Sequence, residues 1–89
     1  MTPTALYLPD DLWNAIRAEA EAEEMPVGTW LYLAVRGERK LKMRGRSDWS
    51  TKARRNVSIP DVTLAEIERV TIANAHPGRA QALAQILGL

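Results

Sequence analysis

The chain has 89 residues, a formal net charge of +1 and 46% apolar residues. That suits one small domain with a packed core, too short for most enzyme architectures that carry a cofactor pocket of their own. The absence of cysteine removes disulfides, thiolate zinc sites, iron–sulfur clusters and cysteine nucleophiles, and the lone histidine argues against a histidine metal site or catalytic triad.

Residues 4–8 are strand formers, with Leu6 and Leu8 in phase at period two. No basic stretch followed by an apolar run precedes them, and no segment approaches the length of a membrane span, so the sequence reads as cytoplasmic, with no membrane partner. Pro9 ends the strand, and Asp10 or Asp11 is placed to cap a helix. Leu12, Trp13, Ile16 and Ala20 recur at helical spacing, opposite Arg17, Glu21 and Glu24. The sequence Met25, Pro26, Val27, Gly28 breaks that helix. Thr29 is placed to cap a second helix through Leu31, Ala34 and Val35, which Gly37 weakens but nothing clearly stops before Gly45.

Positive charge is concentrated in the middle of the chain. Residues 1–35 hold one base and six acids, residues 36–55 nine bases and two acids, and residues 56–89 two bases and three acids. Such a basic segment is a candidate footprint for a polyanion such as nucleic acid, although a solvated helix end and linker would look the same. Residues 45–53 read as a basic linker, with Trp49 expected to tuck onto the helices.

The order of elements then repeats. Residues 55–59 alternate polar and apolar, Pro60 ends them, and Thr63 with Glu66 matches a capping box. Leu64, Ile67, Val70 and Thr71 mark a helical face, His76, Pro77, Gly78 and Arg79 a turn, and Leu83, Ile86 and Leu87 a last helix. At an offset of 51, Pro9 falls on Pro60, Asp10 on Asp61, Ile16 on Ile67, Ala22 on Ala73, Pro26 on Pro77 and Gly37 on Gly88. The last helix fits an offset of 52 better, which one extra residue in the turn accounts for.

Strand, Pro-Asp, amphipathic helix, turn and second helix, twice in tandem, resembles the ribbon-helix-helix (Arc/MetJ-type) DNA-binding family. The likeness is carried by residues 6–12 (Leu6 to Leu12), by 26–35 (Pro26 to Val35), and in the second unit by 56–61 (Asn56 to Asp61). It implies a mainly α fold with a short antiparallel β-ribbon: a unit over 3–44, the linker 45–53 and a unit over 54–89, together one compact domain. In the family two chains pair their strands and pack four helices beneath them. Neither unit alone buries enough apolar area, and a lone strand leaves its backbone unpaired. Both units here lie in one chain, so the expectation is an intramolecular pseudodimer, with a homodimer as the alternative.

A two-stranded ribbon fits the major groove of double-stranded DNA, where side chains on its outer face read base edges. With Val57 and Ile59 inward, Arg54, Asn56 and Ser58 face outward; with Leu6 and Leu8 inward, Ala5 and Tyr7 do, following Pro3. The uncharged first strand departs from the family pattern and implies an asymmetric site. For phosphates the candidates are the second-helix starts, Gly28 with Thr29 and Gly78 with Arg79, together with Lys40, Lys42, Arg44, Arg46, Lys52 and Arg55. About five such contacts imply a log–log salt slope near −4 to −5. The reading is a sequence-specific transcriptional regulator, most simply a repressor, with no enzymatic activity, metal or cofactor. The alternative is an antitoxin-like, phage or plasmid regulatory protein whose main partner is another protein.

Overall fold

Pro9 and Pro60 carry the transition from strand to helix in each half of the chain. Both adopt extended backbone, with φ near −60°, and the helix starts at the aspartate that comes next. The computed structural model describes residues 1–43 and 47–89. It is a small α/β protein: β1 (Thr2–Leu8), α1 (Asp10–Ala22), α2 (Val27–Val35), a 3₁₀ turn (Trp49–Thr51), β2 (Ala53–Ile59), α3 (Asp61–Ala73) and α4 (Arg79–Ile86). The two strands form one antiparallel sheet within the chain, running from Thr2 opposite Ile59 to Leu8 opposite Ala53.

The sequence offset is visible in this register. Ala5 lies opposite Asn56, the residue that the offset of 51 makes its own equivalent. The helices α1 and α3 are each 13 residues long at that same offset. One extra residue separates α3 from α4, so buried Gly28, Trp30 and Leu31 correspond to buried Ala80, Ala82 and Leu83 at an offset of 52. The packing is crossed: α2 lies on β2 and α4 lies on β1. Each half therefore supplies the cover for the other half's strand.

The core lies between the inner face of the ribbon and the four helices. It holds Leu6, Leu8, Leu12, Ile16, Trp30, Leu31, Val57, Ile59, Ile67 and Leu83, with Trp13, Trp49, Leu64 and Ile86 packed against its margin. Burying side chains of this size is the main favourable term, each contributing about 1.5–3 kcal/mol. Trp49 does tuck onto the core as expected.

Helix ends are where the sequence reading needs correction. The four N-cap positions are Pro9, Pro26, Pro60 and Gly78, none of which caps through its own side chain; the first N–H of α1, that of Asp10, donates instead to the Thr51 hydroxyl of the 3₁₀ turn at 3.0 Å. Thr63 therefore sits inside α3, 2% exposed and with no partner for its hydroxyl, while Glu66 bonds Arg69 instead of closing a capping box. Asp10 and Thr29 likewise fall within the first turn and do not cap it, whereas the Asp11 carboxylate accepts from the first-turn N–H of Leu12 at 2.8 Å. Thr63 also replaces Leu64 on the fully buried face of α3.

The second helix stops at Val35, well short of Gly45. Gly37 has φ +82°, its N–H donates to the Ala34 carbonyl, and the Glu38 N–H donates to Leu33. This is a Schellman termination, for which left-handed glycine is suited. Gly88 repeats it with φ +85°, and Glu24 and Ala75 make the same closure at φ +54° and +51° without glycine. Among the described residues no helix is long and apolar enough to cross a membrane.

Candidate functional site

Alternation along the ribbon separates two faces. Thr4, Leu6, Leu8, Val57 and Ile59 are buried against the helices, whereas Pro3, Tyr7, Arg54, Asn56 and Ser58 are exposed and Ala5 is half-buried. Across the outer face the pairs are Pro3 with Ser58, Ala5 with Asn56, and Tyr7 with Arg54. Directly opposed residues stand ~5 Å apart, so these six make one continuous strip. Among the described residues, Arg54 and Asn56 make no side-chain hydrogen bond or ion pair within the protein.

A groove flanks each edge of the strip. One, of about 350 Å³, is lined by Ala5, Leu6 and Tyr7 of β1, by Lys52, and by Pro77, Gly78, Arg79, Ala80 and Gln81 at the start of α4. The other, of about 320 Å³, is lined by Asn56, Val57 and Ser58 of β2 and by Met1, Trp13, Pro26, Val27 and Gly28 at the start of α2. The uncapped first turn of each helix leaves backbone N–H groups at these grooves, the arrangement that attracts anions.

Close approach makes the second groove tight. A Cβ on Gly28 would come within 1.8 Å of the Ser58 carbonyl oxygen, so only glycine lets α2 rest there. Gly78 is not constrained in this way: its φ of −169° is ordinary extended backbone, and a Cβ would meet only the amide end of Gln81.

Most of the residues proposed from the sequence for base and phosphate contact fall on this strip or its flanks. Tyr7, Lys52, Arg54, Gly78 and Arg79 come together at one end; Ala5 and Asn56 lie at the centre, and Ser58 and Gly28 lie at the other end, with Thr29 next in the first turn of α2. Arg79 faces Glu68 at 3.8 Å, a loose and solvent-exposed pair. The grooves add Gln81, which no motif announced, and Val27, which the sequence marked only as part of a helix break and of the family likeness. Helical spacing brings Gln81 back over Gly78, since residues three apart share a face.

Arg55 does not join the strip. It is in phase with Val57 and Ile59, its side chain is 18% exposed, and it is paired with Asp10. Its guanidinium also reaches the Leu8 carbonyl at 3.4 Å and lies 5.9 Å from the centre of the Trp13 ring. That ties β2 to α1 and takes the charge away from the outer face. Lys40 and Lys42 are exposed, alternating with Leu41 and Met43, which pack on the core. Arg44 and Arg46 lie outside the described residues.

Nearby, Arg39 bonds Glu23 at 2.7 Å, and Arg36 stacks on Tyr32. The Tyr32 hydroxyl, with the Glu38 carboxylate, raises the Arg36 guanidinium above its ordinary value. Among the described residues no cluster of His, Asp and Glu could hold a metal ion. No family model matches the sequence, and no curated protein or solved structure is detectably similar to it.

Proposed function

We propose that this chain is a sequence-specific DNA-binding regulator of tandem ribbon-helix-helix type, in which one chain supplies both strands of a ribbon that enters the major groove. The observation that carries the reading is the outer face of β2, where Arg54, Asn56 and Ser58 stand in phase, exposed. Arg matches the O6 and N7 acceptors of guanine, Asn the N6 and N7 edge of adenine, and Ser accepts several partners. The crossed packing of α2 and α4 on the ribbon supports the fold assignment, because neither half buries its strand without the other. The uncapped helix starts and Lys52 beside the ribbon suit phosphate positioning. The simplest regulatory role for such a protein is repression by occlusion of a promoter.

Binding of the purified chain to duplex DNA across a salt series tests this, with Arg54→Ala and Asn56→Ala alongside. The expected result is loss of sequence-specific binding in both variants with unchanged far-UV circular dichroism, and a parent log–log salt slope between about −2 and −5. Undiminished specific binding in both variants refutes the assignment of β2 as the reading strand. A second reading, a regulator whose main partner is another protein, draws on Val62 and Ile72, 66% and 81% exposed on α3. Absence of DNA affinity at low salt would favour it.

A further inference from the structure

The register locates the pseudo-twofold of the ribbon. Residue i of β1 corresponds to residue i + 51 of β2, and the one outward pair made of mutual equivalents is Ala5 with Asn56. The axis passes through that pair. On the outer face the counterpart of Arg54 is therefore Pro3, that of Asn56 is Ala5, and that of Ser58 is Tyr7. In each case the chemistry differs between the halves. Pro3 and Ala5 carry no polar side-chain atom where Arg54 and Asn56 carry donors.

The flanking grooves diverge in the same sense. The groove at the Tyr7–Arg54 end carries Lys52 and Arg79, while its counterpart at the Pro3–Ser58 end has Met1 and Val27 at the corresponding places and no charged side chain in its lining. Two independent sets of side chains, one on the ribbon and one beside it, thus put positive charge at the same end.

Resting on the DNA-binding reading, we infer that the site this chain recognises is polarised and non-palindromic, with the specifying base contacts of Arg54 and Asn56 and the charged phosphate contacts at the centre and one flank, and only the permissive Ser58 and the uncharged start of α2 at the other. Asn56, at the axis, specifies an adenine at the centre of the site. Arg54 lies two residues from the axis, ~7 Å along the strand, or roughly two base pairs at ~3.4 Å per step. It specifies a guanine there. The mirror position, faced by Pro3 with the permissive Ser58 beside it, lacks that guanine preference. Lys52 and Arg79 engage phosphates on the guanine flank only.

Selection of bound sequences by the full chain from a pool of random duplexes tests the inference, run in parallel on the parent, on Arg54→Ala, and on a triple variant, Pro3→Arg with Ala5→Asn and Tyr7→Ser, that copies the β2 face onto β1. The expected parent motif is asymmetric, with guanine on one side. Arg54→Ala loses that guanine preference, by roughly ten- to a hundredfold, and the triple variant selects a motif with twofold symmetry. Lys52→Ala with Arg79→Ala lowers the magnitude of the salt slope by about 2, whereas Val27→Ala leaves it unchanged. A palindromic parent motif overturns the polarity and leaves the DNA reading standing. No enrichment of any sequence overturns the DNA reading itself.

Discussion

Replacing Gly28 by alanine tests how α2 is seated on the ribbon. By helix propensity alone the change is favourable, by about 1 kcal/mol. The structure opposes it, because the new Cβ would stand 1.8 Å from the Ser58 carbonyl oxygen, about 1.6 Å inside the 3.4 Å at which ordinary contact begins. The obstructing atoms are backbone atoms of β2, held in register by β1, so they cannot swing aside as a side chain would. Overpacking of this kind costs about 1–3 kcal/mol and occasionally more, and the upper end applies. The expected net loss is about 2 kcal/mol, or roughly 10 °C in Tm for a domain of this size. Thermal and urea unfolding followed by far-UV circular dichroism measure it, with Gly78→Ala as the matched control. At Gly78 a Cβ meets only the Gln81 side chain at 3.1 Å, and the expected change is below about 1 kcal/mol. A Gly28→Ala variant as stable as the parent would refute the close seating of α2 on β2.

Other positions separate backbone, charge and packing effects. Ala75→Gly and Glu24→Gly should each raise stability by a few tenths to about 1 kcal/mol in the same unfolding assay, since both residues hold left-handed backbone at helix ends. Arg55→Ala should destabilise by about 1 kcal/mol through loss of the Asp10 pair and the Trp13 stacking, whereas Arg54→Ala should leave Tm unchanged. Trp30→Ala should cost about 3–5 kcal/mol, because the side chain is wholly buried. Trp30→Phe should be much milder, since the buried Trp30 Nε1–H has no partner and its removal relieves an unsatisfied donor.

Features that depend on spacing were legible in the chain. Period two sorted Arg54, Asn56 and Ser58 from Val57 and Ile59, and the repeat at offset 51 anticipated both the equal lengths of α1 and α3 and the extra residue before α4. The same alternation puts Arg55 on the inner face, although its charge suggests the outside. Its stem lies along the apolar ring of Trp13 while its head finds Asp10, so amphipathic length overrides the simple polarity rule. Helix starts misled because Thr63 with Glu66 satisfies a capping pattern, but the fixed φ of Pro60 starts the helix two residues before Thr63. The stop at Gly37 was half-visible through its pairing with Gly88; what ends α2 there is a left-handed backbone turn that residue periodicity does not encode. The crossed seating of α2 on β2 carries no local signal beyond Gly28 itself.

That both ribbon strands belong to one polypeptide has a kinetic meaning. Closing the ribbon is an internal step of a tethered chain, where the effective concentration of one strand about the other is of millimolar order. The midpoint of unfolding should therefore not move on dilution, as it must when a fold is assembled from separate subunits. A chain that closes its ribbon internally keeps a folded fraction independent of its own concentration, down to the lowest copy number. Each strand is also free to change without forcing the same change on its partner.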